Sequence, residues 1–276
     1  MKLETHDTAP PAPEGAGPAA SGASPPRVVP LRGMRGMIAS KMLQSLQSAA
    51  QLTLHASARL DALQALRERC KAHGRTAPSV QDLLLRLVVQ TLADFPALNA
   101  TLEENRITEH GAVHLGLAIP LPGDLLVAPA LFDAQTLTLG ELPEARRALV
   151  ARAQAGKLSV GVLTGATFTV SNLGRSRVHH FTPILNVPQV AILGIGGVET
   201  RAVPVSDGWR AVDVIGLSLT FDHRAVNGAP AAAFLDALCE RIETLAPEAF
   251  DGELAPPNES MHRGAGHDGP VTPGGV

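Results

Sequence analysis

Three runs of β-type sequence crowd into one stretch of the chain: QVAILGIGG (189–197), RAVPV (201–205) and RAVDVIGLSLTF (210–221). So much extended sequence in close succession constrains the fold more than any other feature, because each strand must find partners for its backbone groups. More β-type sequence lies at LTLHASARLD (52–61), near 112–120 and 125–131, and at TFTVSNL (167–173). Helical periodicity runs between these segments. Ile38, Met42 and Leu46 make a stripe within 35–50, and Leu63, Leu66 and Cys70 share a face within 61–73. Ser79 is placed to cap the segment SVQDLLLRLVVQTLADF, which stops before Pro96. Thr138 with Glu141 forms a capping box that opens a helix to about Gly156, and a last helix runs from about Gly228 to Leu245. Strict βαβ alternation is scarce, so the expected class is α+β, a mixed β-sheet with packed helices.

Residues 9–26 are Ala, Pro, Gly or Ser apart from Glu14, a composition that cannot bury a core. Residues 1–26 are therefore expected to be a disordered linker, 27–250 the folded body and 251–276 a flexible tail. The net charge of −3 excludes a strongly basic nucleic-acid binder and gives no attraction to anionic membranes. Aromatic residues are 3% of the chain, with no Tyr and Trp209 alone of its type, too few for base-stacking platforms. Cys70 and Cys239 stand far apart in no CxxC pattern, which excludes a disulfide framework and fits a cytoplasmic setting. The start, MKLETHD, is no secretory signal, and no apolar run reaches the length of a membrane span.

Two segments could carry chemistry. DHRAVNG (222–228) lies between a long β-run and a helix, where His223 could serve as a general base at a cleft. Asn227 could orient a neighbour or only cap the helix, and Asp222 and Arg224 could simply pair. In GATFTVSNLG (165–174), Ser171 could donate to a developing oxyanion or only bond the backbone of its own turn. Gly194, Gly196 and Gly197 do not form a dinucleotide fingerprint, and neither a GxSxG elbow nor a P-loop occurs. His179 and His180 are adjacent, so on a strand they would face opposite sides and could not share a metal. Arg175 and Arg177 read as a solvated loop or a phosphate contact, and His55 and His114 as strand-packing residues.

Taken together, RGMIASKMLQS, FPALNATL, GKLSVGVLTGATFTVSNLG, FTPILNVPQVAILGIG and LSLTFDHRAVNGAPAAAFLDAL resemble the catalytic domain of the dihydrolipoamide acyltransferases. These are the E2 components of 2-oxo acid dehydrogenase complexes, distantly related to chloramphenicol acetyltransferase. The resemblance runs from Arg32 to Leu245 in family order and spacing. It implies a chloramphenicol acetyltransferase-like fold and acyl transfer between dihydrolipoamide and coenzyme A, which enter as substrates without a metal. By the same resemblance His223 takes the thiol proton of CoA and Ser171 donates to the tetrahedral oxyanion. Asn227 stands where many members have Asp and some Asn, and would act by hydrogen bonding and loop shape. A homotrimer is implied, with His223 of one subunit facing Ser171 of the next and the two substrates entering from opposite ends. Larger cores, and indirect association with the decarboxylase (E1) and dihydrolipoamide dehydrogenase (E3) components, follow from the same source.

Two departures from the family pattern generate rival readings. Of the four lysines, Lys2, Lys41, Lys71 and Lys157, none sits in a lipoyl-type DK hairpin, so either lipoamide is supplied in trans on a lipoyl-domain protein, or the acceptor is different, or the sequence is a fragment of a longer chain. The extended tail gives no reason to expect a 24-mer or 60-mer. The alternatives are an acyltransferase with a different small-molecule acceptor, and a non-catalytic core subunit that assembles with full-length relatives. Retention of both Ser171 and His223 counts against the second.

Overall fold

The computed structural model describes residues 24, 26–250, 252 and 253, so nearly all of the expected linker and tail lies outside the described residues. In chain order the elements are α1 (Gly33–Ser48), β1 (Gln51–Arg59), α2 (Asp61–Ala72) and α3 (Val80–Asp94). Next come the hairpin β2 (Ala100–Glu103) and β3 (Arg106–Glu109), then β4 (Leu115–Leu117), β5 (Ile119–Leu121), β6 (Leu125–Val127) and β7 (Ala130–Leu131). The chain continues with α4 (Leu142–Gln154), α5 (Val160–Thr164), β8 (Phe168–Asn172), β9 (Ala191–Val205), β10 (Gly208–Asp222) and α6 (Gly228–Glu243). Six strands make one sheet in the order β1–β10–β9–β8–β4–β7. β8 runs parallel to both β9 and β4, and the other neighbours are antiparallel, so the expected mixed sheet is present.

Helices α3 and α6 cover one face of this sheet. On α6 the buried residues Ala231, Phe234, Leu235, Leu238 and Ile242 recur every three or four positions, as a helix lying on a core requires. Phe234 meets Phe168 of β8 with ring centroids 6.2 Å apart, and Phe221, Leu217 and Leu219 of β10 are fully buried on the same side. The caps read from sequence are made. Ser79 Oγ accepts from the Asp82 amide at 3.1 Å, and Glu141 Oε2 accepts from Thr138 N and Oγ1 at 2.9 and 2.8 Å. Asp82 is buried, and its charge is met by Arg146 of α4 at 2.6 Å, which joins the two helices. Beyond α6, Phe250 enters the core and Glu253 accepts a two-pronged bond from Arg86 of α3.

Three expectations need adjustment. The runs 189–197 and 201–205 are one 15-residue strand, β9, turned into β10 at Ser206–Asp207. The β2–β3 hairpin had no glycine to announce it; its turn places Glu104 and Asn105 both in the left-handed region, the geometry a type I′ turn demands. On α1 the Ile38–Met42–Leu46 stripe does not enter the core. Only Ser45 of this helix is buried, while Met37 and Leu46 are exposed.

The other face of the sheet is polar and is crossed by the irregular segment that joins β8 to β9. Thr53, His55 and Ser57 of β1 stand opposite Thr220, Ser218 and Gly216 of β10. Over them passes the backbone of residues 176–181. Gly197 N bonds Val178 O at 2.8 Å, and Phe181 N donates to Ser218 Oγ at 3.4 Å. The Phe181 ring lies on Gly194, and the His179 carbonyl presses against both Gly196 and Gly216 so closely that a Cβ at either would overlap it. This is the work of the glycines that failed to make a nucleotide fingerprint. Farther on, Ser45 Oγ donates to Leu185 O at 2.6 Å and Gln51 Oε1 accepts from Leu185 N at 3.1 Å, tying α1 and β1 to the same crossing.

Gly196→Ala is therefore expected to destabilise the fold by about 2 kcal/mol or more, through backbone overlap that no side-chain rotation relieves. Gly161→Ala, where a Cβ meets nothing within 4 Å, is the matched control and should be neutral or mildly stabilising. Chemical denaturation of the two variants checks the contrast.

Candidate functional site

His223 is fixed through its backbone rather than its ring. β10 ends at Asp222, whose amide donates to Val190 O at 2.9 Å; the His223 amide donates to Ala50 O at 2.8 Å. Ala225 N and Val226 N then close onto Asp222 O, making a tight turn that carries the chain into α6. The imidazole is exposed, 5.7 Å from the Phe221 ring centre, and makes no hydrogen bond among the described residues. Asn227 occupies the N-cap position of α6 with extended backbone, but its side chain makes no capping bond. The side-chain cap anticipated for it is not made. Asp222 and Arg224 do pair, with Arg224 Nη2 donating to Oδ2 at 2.6 Å. Burial alone would push the Asp222 carboxyl up; the bonds from Arg224 and the Ala50 amide outweigh it and hold the group below its ordinary value.

Ser171 is the fourth residue of β8, half-buried, in register with Gly194 of β9. The turn that follows does not use it. Asn172 Oδ1 accepts from Gly174 N at 2.7 Å, and Ser176 Oγ accepts from Val178 N and donates to Leu173 O. Ser171 Oγ makes no hydrogen bond among the described residues and is free to donate to a ligand.

One subunit does not bring Ser171 and His223 together. Ser171 pairs with Gly194, and Gly194 with Ser218, so Ser171 and Ser218 share one row of the sheet. His223 lies five residues further along β10 and two strands across. Strand geometry puts that at about 17 Å along and about 10 Å sideways, on the order of 20 Å in all. Two clefts open near their chain neighbours, and neither is lined by Ser171 or His223 themselves. One of about 480 Å³ opens beside the end of β8, lined by Leu117, Pro120, Val150, Gln154, Asn172 and Arg175. The other, about 460 Å³, is lined by Lys41, Gln44, Glu103, Pro188, Asp222 and Arg224.

The remaining candidates have structural partners or lie on the surface. His179 and His180 are in the crossing segment, not on a strand. His179 Nδ1 approaches Gly197 O at 3.3 Å, and His180 packs edge-on against His55 at 5.2 Å between ring centres. Burial, then the neighbouring His55, lowers the pKa of His180. His55 Nδ1 bonds Ser218 Oγ at 2.9 Å, and His114 Nδ1 accepts from the Asp133 amide at 3.1 Å. Arg175 and Arg177 are exposed, Arg175 on the wall of the first cleft. Cys70 is buried, and burial pushes the Cys239 thiol up to about 11. Among the described residues no group of three or more metal-ligating side chains converges, and no helix is long and apolar enough to cross a membrane.

Comparison with known proteins agrees with this architecture. Over 221 residues the chain is 39% identical to the dihydrolipoyllysine-residue acetyltransferase component of the acetoin cleaving system of Bacillus subtilis (strain 168). That match covers 78% of this chain and 55% of the relative, so the chain spans about half the length of that protein. The cubic core of the pyruvate dehydrogenase multienzyme complex superposes with a TM-score of 0.73 at 30% identity, covering 80% of this chain and 92% of that one. A structure of Azotobacter vinelandii dihydrolipoamide acetyltransferase, studied for the roles of a serine, a histidine and an asparagine in its catalytic mechanism, superposes with a TM-score of 0.72. It is 30% identical, over 80% of this chain and 92% of that one. Residues 23–249 match the 2-oxoacid dehydrogenases acyltransferase (catalytic domain), and the chain belongs to that family.

Proposed function

We propose that this chain transfers acyl groups between dihydrolipoamide and coenzyme A, with residues 27–250 as the catalytic unit and Ser171, His223 and Asn227 as its site. One observation carries the reading. In the Azotobacter vinelandii enzyme the serine, histidine and asparagine studied for catalysis are separated by 52 and then 4 positions; Ser171, His223 and Asn227 repeat the same residue types at the same separations.

The chemistry suits these groups. A thiol with a pKa of about 8.5 is mostly protonated at neutral pH, and the exposed imidazole of His223 can remove its proton as it attacks the thioester carbonyl. The carbonyl oxygen becomes an oxyanion, to which the unengaged Ser171 hydroxyl donates. When the tetrahedral intermediate collapses, the protonated imidazole returns its proton to the departing thiolate. Asn227 adds a neutral hydrogen-bonding group at the rim of the His223 turn.

Two side chains on the order of 20 Å apart in one subunit cannot act on the same carbonyl. The site is therefore proposed to form between copies in a homotrimer, His223 of one facing Ser171 of the next. The exposed apolar side chains Met34, Met37, Leu43 and Leu46 of α1 suit burial against a neighbouring copy. The lipoyl group is proposed to reach the site on a lipoyl domain outside residues 27–250. Contact with the E1 and E3 components would be indirect, through that domain. A reducing, cytoplasmic setting suits a chain whose Cys70 and Cys239 are not joined in a disulfide.

With purified protein, acetyl-CoA and free dihydrolipoamide, thioester formation is expected. His223→Ala should lower kcat by about 10²–10⁴, and Ser171→Ala by about 10²–10³ with KM little changed. Near-normal turnover by His223→Ala would sink the mechanism. When the two inactive variants are dissociated and reassembled together, random mixing in a closed ring restores wild-type pairs at about a quarter of the interfaces. Recovery of that fraction of activity supports the shared site, and no recovery in verified mixed oligomers rejects it.

A further inference from the structure

We propose that Asp222 and Arg224 form a positioning clamp for His223, setting the direction of its imidazole through the backbone without touching substrate. The inference rests on the reading of His223 as the base. The Asp222 carboxylate is the hub of the turn. Its Oδ1 accepts from Arg224 N and Nε, both at 3.0 Å, and from Ala50 N at 3.3 Å; its Oδ2 accepts from Arg224 Nη2 at 2.6 Å. His223 is thus the middle residue of a loop stapled on both sides, and its own amide is held by Ala50 O at 2.8 Å. Ala50 belongs to the α1–β1 connection, so one carboxylate fixes the turn to a second, distant piece of chain.

The exposures of the two partners distinguish this clamp from an ordinary surface ion pair. The Asp222 side chain is 4% exposed and that of Arg224 49%. The guanidinium is a lid over a buried charge, and a planar fork is the group that can satisfy both carboxylate oxygens at once. The other charged groups lining the neighbouring cleft are Lys41 of α1, Glu103 of β2 and Glu104 of its turn, and none of them bonds Asp222. Without the Arg224 guanidinium only the amides of Ala50 and residue 224 would oppose burial, so the balance moves toward the protonated form. The ionised form holds the turn, so a raised pKa means the hold is lost at a higher pH as pH falls.

The test compares Arg224→Ala, Arg224→Lys and Asp222→Asn in the full chain, with acetyl-CoA and free dihydrolipoamide. Arg224→Ala is expected to lower kcat at least about tenfold with both KM values within about twofold, since a small misplacement of a reacting group is costly. Its acid limb should move to higher pH, an effect absent in Asp222→Asn, and added ethylguanidinium should return part of the lost kcat. Arg224→Lys keeps the charge but not the fork and should fall between. A folded Arg224→Ala protein with wild-type kcat and pH profile overturns the clamp, as does a loss confined to KM. If Arg224→Ala does not fold, Arg224→Lys decides by the same criteria. Amide hydrogen exchange over residues 222–227 gives a readout that needs no turnover: faster exchange in the Arg224 variants is expected, and unchanged exchange overturns the clamp. An inactive wild-type protein would reject the acyl-transfer reading and leave this exchange comparison standing.

Discussion

The passage of residues 176–181 across β9 and β10 is the contact on which the rest of the molecule depends. The His179 carbonyl sits where the Cβ atoms of Gly196 and Gly216 would be, and the Phe181 ring where that of Gly194 would be. Strands stripped of side chains along this line let a backbone lie directly on the sheet, and close packing of that kind leaves no room for adjustment. The consequences spread in both directions. Upstream, the connection can leave β8 without a helix and still return to a parallel neighbour. Downstream, the crossing reaches Ser45 and Gln51, so α1 and β1 are referenced to it, and through Ala50 the turn that bears His223 is referenced to them. Gln189 continues the line, receiving Thr169 Oγ1 on one side and donating to Ala166 O on the other.

How much of this could be read from the residues varies with the physics involved. Elements with a strong local signal are where they were expected. The Leu63–Leu66–Cys70 face of α2, the Ser79 cap of α3, the Thr138–Glu141 box and the long strand before DHRAVNG each encode their structure within a few residues. What sequence could not express were features decided by distant partners. Gly194 and Gly196 of β9 and Gly216 of β10 were visible as glycines, but not the carbonyl and ring that require them. The α1 stripe looked like a core face because periodicity reports an apolar side, not whether the same chain covers it. The β2–β3 turn was hidden because Glu104 and Asn105 adopt left-handed backbone without glycine.

The candidate site divides along the same line. Residue types named Ser171, His223 and Asn227 as able to do acyl chemistry, and the resemblance set their roles. The register of β8, β9 and β10 adds what no motif contains, the wide separation of Ser171 and His223 within a subunit. A sheet is a good scaffold for such a division, since hydrogen-bonded registers hold two rows at a fixed offset while leaving both ends open to solvent. The charges beside His223 follow a different logic. Asp222 is buried and useful only while ionised, and Arg224 keeps it so from a half-exposed position.

In the proposed reaction, whose substrates are thioesters, the state of the two cysteines has a consequence. Any accessible thiolate near such substrates is a competing acceptor, and thiol exchange would divert the acyl group onto the enzyme itself. Cys70 is buried on the core face of α2, and Cys239, with its thiol pushed up to about 11, is ionised in only about one molecule in ten thousand at neutral pH. The same apolar packing that steadies α6 against the sheet thus keeps the Cys239 thiol protonated, and in the proposed reaction the thiols that exchange the acyl group are those the substrates bring.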